Sequence, residues 1–216
     1  MQVNARLVSE LRAKTGAGIM DCKKALAEHN GDLEQAVEFL RKKGLSAASK
    51  KAGRVASEGA VGSYIHAGGK IGVMVEVNCE TDFVGRNEDF QRFVRDVAMH
   101  IAAAAPRYIT RDEVPAELLA KEKEILTAQA VEEGKPAAVA EKIVEGRIAK
   151  FYKEICLMEQ PYVRESDKSV EQVLNEVVAK IGEKIVVRRF ERFQLGEGIE
   201  KKSEDFAAEV AKAAAG

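Results

Sequence analysis

Only three cysteines, Cys22, Cys79 and Cys156, occur in 216 residues, an odd number widely spaced and without a C-x-x-C pair. That excludes a disulfide framework, provides no zinc-ligand spacing, and points to a reducing compartment. Long hydrophobic runs are missing too. None approaches the ~18 residues needed to span a bilayer, and Met1-Gln2-Val3-Asn4-Ala5-Arg6 lacks the apolar core of a secretion signal. A cytoplasmic location with no membrane partner is therefore expected. Nor is there an excess of one charge: 34 Lys+Arg face 35 Asp+Glu, and a net −1 supplies no overall field for nucleic acid or a membrane surface. That balance conceals a small offset, with residues 1–54 at about +5 and the remainder at about −6.

What is present is the material of a folded chain, 46% hydrophobic and 32% charged, enough for one medium domain or two small ones. A disordered tail protein is excluded. The first segment carries three stripes at the helical period: Val3, Leu7, Val8, Leu11; Ile19, Cys22, Leu26; and Leu33, Val37, Leu40. Thr15-Gly16-Ala17-Gly18 and Asn30-Gly31-Asp32 separate them, Asp32 is placed as an N-cap, and Gly44 stands where a C-cap would. A compact three-helix module is expected, followed by a small, basic linker over residues 45–57.

The period then changes to two. Val61 to His66, a Gly68-Gly69 turn, and Ile71, Val73, Val75, Val77 and Cys79 alternating with smaller or polar residues predict a β-hairpin with one buried face. A strongly amphipathic helix follows, with Phe90, Phe93, Val94, Val97 and Ile101 on one stripe, ended by Pro106. Two long charged helices, broken at Glu133-Gly134-Lys135-Pro136, predict an antiparallel helical hairpin over residues 116–155 that projects ~30 Å. Ser169 with Gln172 marks a capping box for a helix closed by Gly182, and Lys184 to Phe193 reads as a third strand. A weak helix is expected from Ser203 to Ala215. The fold class is α+β, a small antiparallel sheet packed with helices and bearing a protruding helical arm.

Chemistry is sparse. Gly16-Ala17-Gly18 opens like a dinucleotide loop, but it follows a helical pattern, and Asp21 stands at the third glycine. There is no G-x-x-x-x-G-K-[ST] loop, and His29, His66 and His100 are too scattered for a metal site or a triad. The cluster of Lys42, Lys43, Lys50, Lys51 and Arg54 lacks interleaved aromatics for base stacking, so a solvated segment is the favoured reading. One segment stands apart. Thr81-Asp82-Phe83-Val84 leaves the hairpin strand into what reads as a loop, and from sequence Phe83 either folds back onto the core or is an exposed aromatic anchor.

Two stretches together carry a resemblance: Leu11-Arg12-Ala13-Lys14-Thr15-Gly16-Ala17-Gly18-Ile19-Met20-Asp21-Cys22-Lys23-Lys24-Ala25-Leu26 and Asn78-Cys79-Glu80-Thr81-Asp82-Phe83-Val84. They closely resemble the two signature stretches of the elongation factor Ts family. Residues 140–147, Gln160-Pro161-Tyr162-Val163 and Gly196-Glu197-Gly198-Ile199-Glu200 add further matches, so the likeness runs through the chain in order.

The resemblance implies a guanine-nucleotide exchange factor that binds elongation factor Tu and promotes GDP release, with no covalent chemistry, cofactor or direct nucleic-acid partner of its own. It implies a ubiquitin-associated-like three-helix domain with the basic linker over residues 1–54. The α+β core would occupy 55–115 and 161–195, the coiled-coil hairpin 116–160, and a C-terminal helical module 196–216. Thr81, Asp82, Phe83 and Val84 would disturb the Mg²⁺ and phosphate site of the partner GTPase, with Arg12, Ile19 and Met20 as a second contact set. Longer members carry a second core half that this chain is too short to contain, which implies a homodimer or a 2:2 complex. The rival reading is an RNA- or ubiquitin-like-binding adaptor built on the same head.

Overall fold

The computed structural model describes residues 4–134 and 136–199. The expected helix Ser203–Ala215 and nearly all of the C-terminal module lie outside the described residues.

Three helices, α1 (Ala5–Thr15), α2 (Ile19–Glu28) and α3 (Leu33–Lys51), close around Leu11, Cys22, Ala25, Leu26, Ala36 and Leu40. Their ends follow local chemistry. Asn4 and Asp32 accept N–H bonds from Arg6 and Gln35, while Gly16 ends α1 in the left-handed region at φ 65°. The expected linker over 45–57 is corrected here, because α3 continues through Gly44 to Lys51 and only residues 52–57 join head to body without a helix. Gly44 is buried inside the helix and caps nothing. A Cβ on it would lie 3.5 Å from Ala179 Cβ, an ordinary van der Waals contact, so Gly44 marks where α3 crosses the helix that carries Ala179.

The hairpin forms from β1 (Glu58–Ile65) and β2 (Ile71–Cys79), turning through Gly68 and Gly69, both at positive φ. Strand β2 pairs on its other side with β5 (Ile185–Gln194), giving an antiparallel sheet in the order β1-β2-β5. The ladder is bulged at Glu76, where Arg188 is the extra residue and both Arg188 and Arg189 reach the Glu76 carboxylate.

One face of the sheet is covered. Val73, Val75 and Val77 pack with Phe90, Phe93, Val94, Val97 and Ile101 of α5 (Glu88–Ala104) and with Val170 and Val178 of α8 (Val170–Ile181). Helix α8 begins at the capping box of Ser169 and Gln172 and ends at Gly182 with φ 89°. It also receives α3, whose Ala48 packs against this larger core.

The arm consists of α6 (Ala116–Glu132) and α7 (Ala137–Ile155), joined in part by Arg147 to Glu133. At its base Leu157 and Met158 donate backbone N–H groups to Tyr108 and Ile109. A short ribbon of β3 (Pro161–Tyr162) and β4 (Glu165–Ser169) follows, which the polar run Glu165-Ser166-Asp167-Lys168 did not lead us to expect. Beneath it His100 is buried, with Nδ1 accepting the Val163 N–H and Nε2 donating to Gln160 Oε1 at 2.9 Å.

Candidate functional site

The Thr81–Val84 segment is not a loop, as its sequence leads one to expect, but opens a single helical turn, α4 (Asp82–Gly85). Two glycines let it sit directly on the sheet edge. Gly59 of β1 lies at φ 139°, where a Cβ would come 2.1 Å from the Val77 carbonyl oxygen, and a Cβ on buried Gly85 would meet the Gly59 oxygen at 3.1 Å. Val84 packs against the large core. Because successive helical residues point about 100° apart, burying Val84 and Gly85 turns Asp82 and Phe83 outward. Phe83 is 80% exposed, far from the core position that its sequence context allows.

The turn is held at its start. Thr81 donates its backbone N–H to Glu183 Oε2 at 3.0 Å and its hydroxyl to Glu183 Oε1 at 2.8 Å, while its carbonyl accepts from Cys79 Sγ and from the Gly85 N–H. Next to it, Glu80 accepts the Lys184 N–H at 2.6 Å and pairs with Arg54 at 3.2 Å. The Lys184 N–H and then Arg54 hold the Glu80 carboxyl below its ordinary range. Lys184 Nζ in turn donates to the carbonyls of Ala52 and Arg54, tying the end of the head-to-body connection to this corner. The Asp82 carboxylate makes an exposed i,i+4 pair with Arg86 at 3.1 Å, an interaction of about 0.3–0.5 kcal/mol.

The second expected set lies on the head. Ile19 and Met20 open α2 at 55% and 74% exposure, and Arg12 is exposed in the last turn of α1. The packing that their helical stripe predicts falls instead on Leu11, Cys22 and Leu26. Structure thus separates the expected residues into an aromatic turn on the body and an apolar pair on the head, joined through α3 against α8. Sequence reading missed Glu183, Lys184 and Arg54. Glu183 is 102 residues from Thr81, and no local spacing signals that pairing.

Elsewhere the chemistry of an enzyme is thin. Burial pushes the Cys79 and Cys156 thiols up to about 11, and Cys22 is buried. His100 is engaged in the ribbon contacts, and no group of three His, Cys, Asp or Glu side chains among the described residues could hold a metal ion. Gly16-Ala17-Gly18 joins two helices. A cleft of about 260 Å³ lies between the head and α8, lined by Val37, Leu40 and Ala179, with Lys43, Lys168 and Lys180 at its rim paired to Asp21, Glu176 and Asp89. No described helix is long and apolar enough to cross a membrane.

No described residue covers the other face of the sheet, which carries four large apolar side chains among charged and polar ones. Register places Ile65, Gly72 and Phe193 in one row, Ser63, Met74 and Glu191 in the next, and Val61, Glu76 and Arg189 in a third. Val61, Ile65, Met74 and Phe193 are each more than half exposed, at 64%, 66%, 55% and 66%.

Comparison with known proteins agrees with both the motifs and the architecture. A family model described as "Elongation factor TS" matches residues 30–197. An elongation factor Ts of Geobacter sulfurreducens is 70% identical over 214 residues, 99% of each chain. Those of Desulforamulus reducens and Acetivibrio thermocellus are each 64% identical over 210 residues, covering 97% of this chain and 97% and 98% of theirs. With near-complete coverage at this identity, and a family match across the sheet, the aromatic turn and the arm, the chain belongs to the elongation factor Ts family of translation elongation factors.

Proposed function

We propose that the chain is a guanine-nucleotide exchange factor for elongation factor Tu, acting in the cytoplasm during the elongation cycle. The observation that carries this reading is Phe83, 80% exposed on a turn fixed from both sides. An exposed ring is available to a partner, and burying it there contributes roughly 1.5–3 kcal/mol. Its insertion between helices of the GTPase domain, with Asp82 beside it, disturbs the groups holding Mg²⁺ and the GDP phosphates. Ile19, Met20 and Arg12 dock the head on the same domain. Each tenfold gain in release rate needs ~1.4 kcal/mol off the barrier, so a ring contributing about 2 kcal/mol accounts for roughly 30-fold. No bond is made or broken by this chain, and the Mg²⁺ belongs to the partner.

The uncovered sheet face extends the proposal to assembly. A two-layer α+β unit buries one face of its sheet under helices, and four large apolar side chains remain on the other. A second copy of the chain, packed sheet to sheet, covers them and gives a 2:2 complex with the GTPase. The adaptor alternative has less support, because Lys42, Lys43 and Arg54 of the basic segment pair with Glu38, Asp21 and Glu80.

Equilibrium linkage tests the function. If the chain weakens GDP binding to elongation factor Tu by some ratio, GDP weakens binding of the chain by the same ratio. Titrating fluorescent GDP with and without the chain, and the chain with and without GDP, is expected to return matching ratios well above one. A chain that binds the GTPase and leaves its GDP affinity unchanged contradicts the proposal.

A further inference from the structure

We infer that Glu183 is a positioning residue for nucleotide exchange, acting through Thr81 to aim the Phe83 turn; this rests on the exchange reading above. Threonine at an N-cap ordinarily turns its oxygen to accept an N–H from the first helical turn. Thr81 makes no such bond, and its hydroxyl is directed instead to Glu183 Oε1. The other carboxylate oxygen takes the Thr81 N–H, so one side chain fixes both donors of the residue that begins the turn.

The arrangement is reciprocal. Glu183 holds the backbone N–H of Thr81, and Glu80 holds the backbone N–H of Lys184. Two neighbouring dipeptides are thereby clamped to each other just beyond Cys79 and Ile185, the last pair of the β2–β5 ladder. The clamp lies between the end of that ladder and the turn that begins at Thr81. Glu183 also forms no salt bridge among the described residues, so its half-buried charge is satisfied by hydrogen bonds to Thr81 rather than by a cation. Phe83, exposed and without packing of its own, takes its direction from this backbone.

The test compares the full-length chain with Glu183→Ala, Phe83→Ala and the double variant in stimulated release of fluorescent GDP from elongation factor Tu, over a range of factor concentrations. Melting curves accompany each. Glu183→Ala is expected to lower the maximal release rate about tenfold, with the half-saturating concentration moving less than about threefold. In the Phe83→Ala background it is expected to add nothing. Thr81→Val, which removes only the hydroxyl, is expected to lower the maximal rate in the same direction by less, and it keeps the inference testable if Glu183→Ala folds poorly. A full maximal rate in folded Glu183→Ala while Phe83→Ala is impaired overturns this inference alone. So does a further loss from Glu183→Ala on top of Phe83→Ala. A full rate in Phe83→Ala overturns the exchange-site reading, and this inference with it.

Discussion

Two phenylalanines seven residues apart have opposite surroundings and should fail in opposite ways. Phe90 is fully buried at the centre of the large core, so Phe90→Ala is expected to cost about 3–5 kcal/mol and lower the melting temperature markedly. Phe83→Ala removes a ring that touches solvent and is expected to leave the melting curve in place. Thermal melts of the two variants side by side check this, and an early melt for Phe83→Ala would return Phe83 to the core. A third residue makes stability depend on pH. Because the Val163 N–H can only donate, His100 is held neutral with its proton on Nε2, and burial lowers its pKa below the ordinary 6.5. Below about pH 6.5 the unfolded chain gains a proton that the folded chain refuses, so stability is full above that pH and falls as pH drops toward the folded value. Melting temperatures between pH 7.5 and 5.5 are expected to decline more steeply for the native chain than for His100→Gln, and equal slopes would contradict the assignment.

At the scale of elements, α3 shows how a glycine can be misread. Gly44 follows Leu40 and precedes small residues, which in sequence is the signature of a helix end; the Ala179 surface that makes it a crossing point is 135 positions away. Its contact distance allows a methyl group, so Gly44→Ala is expected to raise helix stability by up to about 1 kcal/mol. At a left-handed C-cap the same change would destabilise, and a denaturant melt gives the sign. The amphipathic elements α5 and α8 and the hairpin β1–β2 were legible because period, caps and turn glycines act locally. Helix α4 was not, since four residues show no period and the turn owes its place to Gly59 beneath it and Glu183 beside it. For the same reason the motif Thr81-Asp82-Phe83-Val84 pointed to a site, while its anchoring residues became visible only in three dimensions. The polar strand β4, whose sequence alternates nothing apolar, was likewise silent.

For the whole molecule, a basic head is joined to the sheet chiefly by α3 on α8 and by the corner at Glu80 and Lys184, and a long arm is rooted at Tyr108 and Leu157. The sheet face that no described residue covers carries the prediction about assembly. Phe193→Glu puts a charge in the row with Ile65 and is expected to shift the chain from dimer to monomer in sedimentation while its helical circular dichroism is retained. A native chain that sediments as a monomer at tens of micromolar would leave that face uncovered and contradict the 2:2 arrangement. The same corner ties residues 52 and 54, at the end of the head, to the base of the aromatic turn, a link of the kind a factor needs if docking at Ile19 and Met20 is to place Phe83 against a second point of its partner. The most direct measurement is stopped-flow release of fluorescent GDP from elongation factor Tu at saturating concentrations of the native chain and of Phe83→Ala. The account predicts strong acceleration by the native chain and a maximal rate lower by roughly 30-fold for the folded variant. Equal maximal rates for the two would contradict it.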